Sequence, residues 1–159
     1  MVRMTRMSSK KLGELLVEEG LLDKEKLDEA LQEQKGSGEM LGEVLVRLGR
    51  VTERDIAKTV ANQFALPYLA VSQYFIPKEM LVLLPVPELV EHQCVPLDRI
   101  GKLLLLAISG PMDMKFLEKV EADSQSEICL YVSTASEIEE ALDRHFAGHT
   151  GKKEGDAAT

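Results

Sequence analysis

A pattern of 24 residues occurs twice near the start of the chain, and the second copy begins 29 residues after the first. Copy one runs Lys11-Leu12-Gly13-Glu14-Leu15-Leu16-Val17, then Gly20, Leu27, Leu31 and Gln34. Copy two runs Met40-Leu41-Gly42-Glu43-Val44-Leu45-Val46, then Gly49, Ile56, Val60 and Gln63. Only Lys35-Gly36-Ser37-Gly38-Glu39 separates them. A chain that repeats a whole register must build the same local structure twice. Apolar periodicity alone would serve a core, so the matched glycines and matched terminal glutamines point to a pseudo-symmetric site.

The local structure of each copy follows from its spacing. Leu12, Leu15, Leu16 and Val17 fit one face of a helix running to Glu19, with Ser8 or Ser9 as its cap. Gly20 stands where a left-handed helix terminus is needed. Asp23 is an N-cap for a second helix that turns Leu27, Ala30 and Leu31 toward the core. Copy two repeats the plan, with Gly49 as terminator and Thr52 as the next cap. Glu53 and Asp55 then lie near the positive end of the helix dipole. Each copy therefore reads as an αα-hairpin. Two such hairpins predict a four-helix subdomain over residues 9–68, after a loose tail at 1–8.

Prolines 67, 77, 85, 87 and 96 mark a change of style. A short helix from Lys78 to Leu84 is expected, then another through Val90. Cys94 to Leu97 and Leu103 to Ile108 read as strands around the turn Asp98-Arg99-Ile100-Gly101-Lys102. Pro96 suits an edge strand. Pro111 opens a predicted helix through Ala122, because proline is favoured at the first helical position. Glu127 to Val132 is a third strand. Thr134 with Glu137 is a capping-box pattern ahead of a last helix, whose apolar face is Ile138, Leu142 and Phe146. The order ββαβα predicts a small α/β subdomain over 69–147, followed by a polar tail at 148–159 expected to be disordered. The fold class is α+β.

Composition narrows the function. With 45% hydrophobic and 29% charged residues the chain reads as globular. A net charge of −8 argues against DNA or RNA binding, which calls for a basic face. It leaves room for a nucleotide held by backbone amides and a few cations. No apolar run approaches a membrane span, and the basic start lacks a signal-peptide core, so a cytoplasmic protein without membrane insertion is expected. Cys94 and Cys129 lack C-x-x-C spacing and read as buried thiols.

No catalytic motif stands out. The nearest approach to a phosphate loop, Gly148-His149-Thr150-Gly151-Lys152, has the wrong spacing for G-x-x-x-x-G-K-[ST]. His92, His145 and His149 share no metal-ligand spacing. Asp113 reads as a surface carboxylate, and no Ser-His-Asp or Cys-His arrangement is supported. Neither enzyme activity, cofactor nor metal is expected.

The doubled glycine pattern, with its later leucines, final glutamines and five-residue spacer, resembles the MshEN cyclic di-GMP-binding domain. Those domains form the N-terminal part of type II secretion and type IV pilus assembly ATPases. The resemblance continues through Leu66-Pro67-Tyr68, Val95-Pro96-Leu97 and Leu103 to Pro111. It implies a first half-site of Lys11, Leu12, Gly13, Leu27, Leu31 and Gln34. The second would be Met40, Leu41, Gly42, Ile56, Val60 and Gln63. The family's leading arginine is Lys11 in copy one and Met40 in copy two, and its frequent Asp-Pro is Gly110-Pro111. Lysine loses the bidentate fork, and methionine loses both charge and donor. Arg47, Arg50 and Arg54 are the cations near enough in sequence to compensate.

The resemblance implies a non-catalytic sensor or adaptor that takes cyclic di-GMP. Its partner would be a secretion or pilus ATPase or an inner-membrane platform protein. The alternative is a module of the same fold that docks a secretion or pilus component without nucleotide. For that role the acidic residues Glu18, Glu19, Asp28 and Glu33 suit a basic partner.

Overall fold

Residues 11–146 are described in the computed structural model of the chain. Helix α1 spans Leu12–Glu18 and α2 spans Lys24–Ser37; α3 spans Leu41–Arg47 and α4 spans Glu53–Phe64. Gly20 and Gly49 close the short helices at matched φ values of 77° and 73°, a region where a Cβ would be strained. Asp23 caps α2 by accepting from Lys26 N at 2.8 Å. Thr52 and Asp55 form a reciprocal capping box at α4, with bonds of 3.0 and 2.9 Å. The two predicted hairpins are therefore present.

Three local expectations change. The cap position of α1 is Lys11, which makes no side-chain cap bond, while Ser8 and Ser9 lie outside the described residues. The spacer is not a loop: α2 continues through Gly36 and Ser37, and the chain turns left-handed only at Gly38. Leu31 does not face the core but lies at the surface.

After α4 the chain makes two short 3₁₀ turns, Val71–Gln73 and Lys78–Val82. The second replaces the predicted helix to Leu84. Helix α5, Val86–His92, leads into strands β1 (Cys94–Ile100) and β2 (Leu103–Ile108). These pair antiparallel, with a bulge between Pro96 and Asp98, and β1 extends to Ile100, so the turn is shorter than expected. Helix α6 spans Met114–Ser124, β3 spans Glu127–Val132 and α7 spans Ala135–Phe146. Strand β3 pairs parallel to β2, which requires the crossover that α6 supplies. The sheet order β1-β2-β3 leaves β1 at an edge, where Pro96 needs no donor. The far side of β3 is partly closed by residues 67–69, through Val132 N to Pro67 O and Leu69 N to Val132 O.

Helix α6 starts three residues after Pro111. Asp113, not the proline, opens it by accepting from Lys115 N at 3.0 Å. Asp113 is thus a helix cap rather than a solvating carboxylate. The capping box at α7 is present, with Glu137 N donating to Thr134 Oγ1 and Thr134 N to Glu137.

Two apolar cores result. The smaller holds Leu16, Leu22, Ala30, Val44, Leu45, Val51 and Ile56 between the hairpins. The larger wraps the sheet, and α4 contributes Ala57 and Val60 to it. Helix α4 therefore faces both cores. Cys94 and Cys129 are buried and form no disulfide.

Candidate functional site

The two Leu-Gly pairs meet at the start of α1 and α3. A Cβ placed on Gly13 would fall 2.6 Å from Leu27 Cδ1 and 3.3 Å from Leu41 Cδ2. A Cβ on Gly42 would fall 3.4 Å from Ile56 Cδ1 and 3.5 Å from Leu12 Cδ2. Each glycine thus lies against the leucine or isoleucine of its own hairpin and the motif leucine of the other. The duplicated sequence has become a local pseudo-two-fold arrangement. At Gly13 an added methyl would overlap Leu27, whereas at Gly42 it would reach only ordinary contact distance.

A cleft of about 1370 Å³ opens over this junction. The starts of α1 and α3 form one wall, through Lys11, Leu12, Met40, Leu41 and Gly42. Glu53 and Ile56 of α4 continue it. The opposite wall comes from Val90 of α5, the Gly110–Asp113 loop, and Ser136 and Glu139 of α7. Six of the twelve predicted site residues therefore share one cleft: Lys11, Leu12, Met40, Leu41, Gly42 and Ile56.

The other six stand elsewhere. Gly13 is buried under Leu27 and Leu41. Leu27 packs half-buried on the smaller core, and Leu31 lies outside it. Val60 has no exposed surface and belongs to the larger core. Gln34 donates from Nε2 to the Glu39 carbonyl at 3.3 Å, and Gln63 donates to Glu19 Oε2 at 2.8 Å. The matched glutamines thus make different bonds: Gln34 holds the spacer that follows it, and Gln63 ties the second hairpin to the first.

The cleft holds several carboxylates that the motif did not reveal. Most are bonded within the protein. Glu39 accepts from Arg47 Nη2 at 2.7 Å, and Glu43 accepts from Met40 N at 3.0 Å. Glu53 accepts from Ser136 N and Oγ, and Asp113 caps α6. Glu91 and Glu139 also line it. Glu39 and Glu43 flank Met40 in the sequence, whereas Glu53, Glu91 and Glu139 join them only through the packing of α4, α5 and α7, which no spacing signals. Gly110, singled out in the sequence as a departure from the family's Asp-Pro, does line the cleft beside Pro111 and Met112.

Of the three arginines weighed as substitutes, only Arg47 lines the cleft. Arg50 pairs with Glu29 at 2.9 Å. Glu19 and Glu33, read as free acidic surface, are engaged by Gln63 and Arg47. Among the described residues no three His, Cys, Asp or Glu side chains gather as a metal site requires. None of the described helices is long and apolar enough to cross a membrane.

Comparison with known proteins places this geometry in a family. The MshEN domain profile matches residues 64–152, the part that follows the doubled motif. The type IV pilus assembly ATPase PilB of Thermus thermophilus is 34% identical over 139 residues, 86% of this chain and 16% of that protein. PilB of Myxococcus xanthus is 27% identical over 139 residues, 87% of this chain and 25% of that one. The chain thus spans a quarter or less of these relatives. Among solved structures, MshE with cdg (cyclic di-GMP) has a TM-score of 0.65 at 28% identity, covering 86% of this chain and 99% of that one. The N-terminal domain of XpsE has a TM-score of 0.70 at 28% identity, covering 90% and 99%. The family profile matches more than half of the chain, and the solved relatives overlie the tandem motif as well: the chain belongs to the MshEN domain family.

Proposed function

We propose that this domain is a non-catalytic, cytoplasmic receptor that takes cyclic di-GMP in the cleft above its paired Leu-Gly turns. It would pass occupancy to a secretion or pilus ATPase or to an inner-membrane platform protein. The observation that carries this reading is the reciprocal packing of Gly13 with Leu41 and Gly42 with Leu12. A two-fold symmetric dinucleotide suits a pseudo-two-fold floor. Leu12, Leu41 and Ile56 offer apolar surface to flat bases, and Lys11 a charge to phosphate. The MshE relative solved with this ligand supports the choice.

The departures set the affinity. Met40 supplies no donor where a charged hydrogen bond is typically worth about 1.5–3 kcal/mol, roughly one to two decades of binding. Isothermal calorimetry with cyclic di-GMP should give saturable heat that Met40→Arg tightens by about tenfold and Met40→Glu abolishes. Met40 is exposed, so these variants keep the fold. No heat from wild type or Met40→Arg at high micromolar ligand would sink the proposal.

A second reading is favoured by the rim. Glu91, Asp113 and Glu139 line the same cleft as the exposed Val90, which fits a basic amphipathic segment of a secretion or pilus component. Salt separates the two. A basic segment would bind more weakly as ionic strength rises, whereas a dianion meeting an acidic rim would hold its affinity or gain.

A further inference from the structure

The cleft lacks a cation at Met40, but a guanidinium stands two helical turns away on the same helix. Positions 40 and 47 are seven residues apart, which brings them to the same face of α3. Both line the cleft. Arg47 donates from Nη2 to Glu39 Oε1 at 2.7 Å and to Glu33 Oε2 at 3.1 Å, and from Nε to Glu39 Oε1 at 3.2 Å. We propose that Arg47 is the phosphate-binding cation of the second half-site, and that Glu39 and Glu33 are internal competitors which a ligand phosphate must displace. The inference rests on the cyclic di-GMP reading above and names how that same cleft is regulated.

The two sides of the latch differ in freedom. Glu39 is held at its backbone: its carbonyl accepts from Gln34 Nε2 at 3.3 Å, and its N–H donates to Ser37 Oγ at 3.2 Å. Arg47 ends α3, and its guanidinium stands at the end of a long flexible stem that can turn from the carboxylates without moving the helix. The pairing is also solvent-exposed, with side-chain exposures of 45% for Arg47, 31% for Glu39 and 52% for Glu33. Ion pairs of that kind contribute little net energy, so exchanging carboxylate for phosphate is nearly balanced. A guanidinium binds either anion through the same bidentate fork. The motif glutamine Gln34 acquires a role here as the residue that positions the competitor.

Calorimetry with cyclic di-GMP on the full 159-residue chain tests this. Glu39→Gln should tighten binding by about two- to fivefold, the scale of an exposed ion pair. Arg47→Gln should weaken it by about tenfold, and Arg47→Lys should fall between, keeping charge without the fork. In the Arg47→Gln background, Glu39→Gln should change nothing. If the Glu39→Gln gain persists without Arg47, the effect is one of overall charge and the latch is overturned. If Arg47→Gln binds like wild type, it is overturned as well, while the cyclic di-GMP reading stands. If no variant binds, including Met40→Arg, both fall.

Discussion

Glu53 accepts two hydrogen bonds from Ser136, 2.6 Å from its N–H and 2.5 Å from its hydroxyl, and so joins the N-terminus of α4 to that of α7. The two residues are 83 positions apart and both line the cleft. Ser136→Ala should cost about 1 kcal/mol, and Glu53→Ala about 1.5–3 kcal/mol because the lost acceptor is charged. Urea unfolding measures the cost. Amide exchange should quicken at residues 135–137 in both variants; unchanged exchange there would show that the pair does not hold the walls together.

The two motif glycines should respond differently to the same substitution. Alanine relieves glycine's penalty within a helix, worth up to about 1 kcal/mol. At Gly42 the added methyl meets its neighbours at 3.4 Å or more, so the gain is kept. At Gly13 it meets Leu27 Cδ1 at 2.6 Å, and Leu27 must leave its rotamer at a cost of about 0.5–1.5 kcal/mol. Gly42→Ala should therefore be more stable than Gly13→Ala by about 1 kcal/mol in chemical denaturation. Equal stabilities would contradict the packing described.

Tyr68 donates its hydroxyl to Glu137, and the pair sets a pH window. Burial pushes the Glu137 carboxyl up, but bonds from Tyr68, Thr134 and Ser133 outweigh it and hold the group below its ordinary 4.5. Its contribution is present above that value and is lost as pH falls through the depressed one. The Tyr68 hydroxyl is raised above its ordinary 10.0, first by the bond to Glu137 and then by burial. That contribution is present below 10.0 and is lost as pH rises toward the raised value. Tyr68→Phe should flatten the alkaline limb of a melting-temperature profile and shrink the acid limb. Identical profiles would remove the pair as a source of pH dependence.

Cys94 should be chemically silent in the native state. Burial, helped by the nearby Glu88 charge, pushes its thiol up to about 12, so the reactive thiolate is scarce at neutral pH. Cys129 lies fully buried on β3, across β2 from the strand that carries Cys94. A thiol reagent at pH 8 should label neither until denaturant unfolds the domain. Rapid labelling of the folded protein would mean that the larger core opens locally.

Much of this architecture was legible from spacing. Short-range signals carried well: Asp23, Thr52 and Thr134 cap their helices because a side chain three residues away is a local matter. The strand Glu127–Val132 likewise stands where its apolar run placed it. Signals failed where a residue had two plausible local roles. Pro111 is acceptable at a helix start, but Asp113 offers an acceptor and wins. Gly36 and Ser37 look like a spacer, yet α2 gains two more residues before Gly38. At the site, the Leu-Gly positions came together, since their meeting follows from the repeat itself. The acidic wall did not show, because Glu53, Glu91 and Glu139 are gathered by helix packing over long sequence separations.

Leu31 and Val60 hold matched places in the two copies, yet one is at the surface and the other is sealed inside the larger core. A repeat begins with interchangeable halves, but the larger core buries Ala57 and Val60 of the second copy and takes only the partly buried Leu12 from the first. From then on the halves answer to different constraints. Polar residues should be acceptable at position 31 and ruinous at position 60, so what is learned about one copy cannot be transferred to its twin.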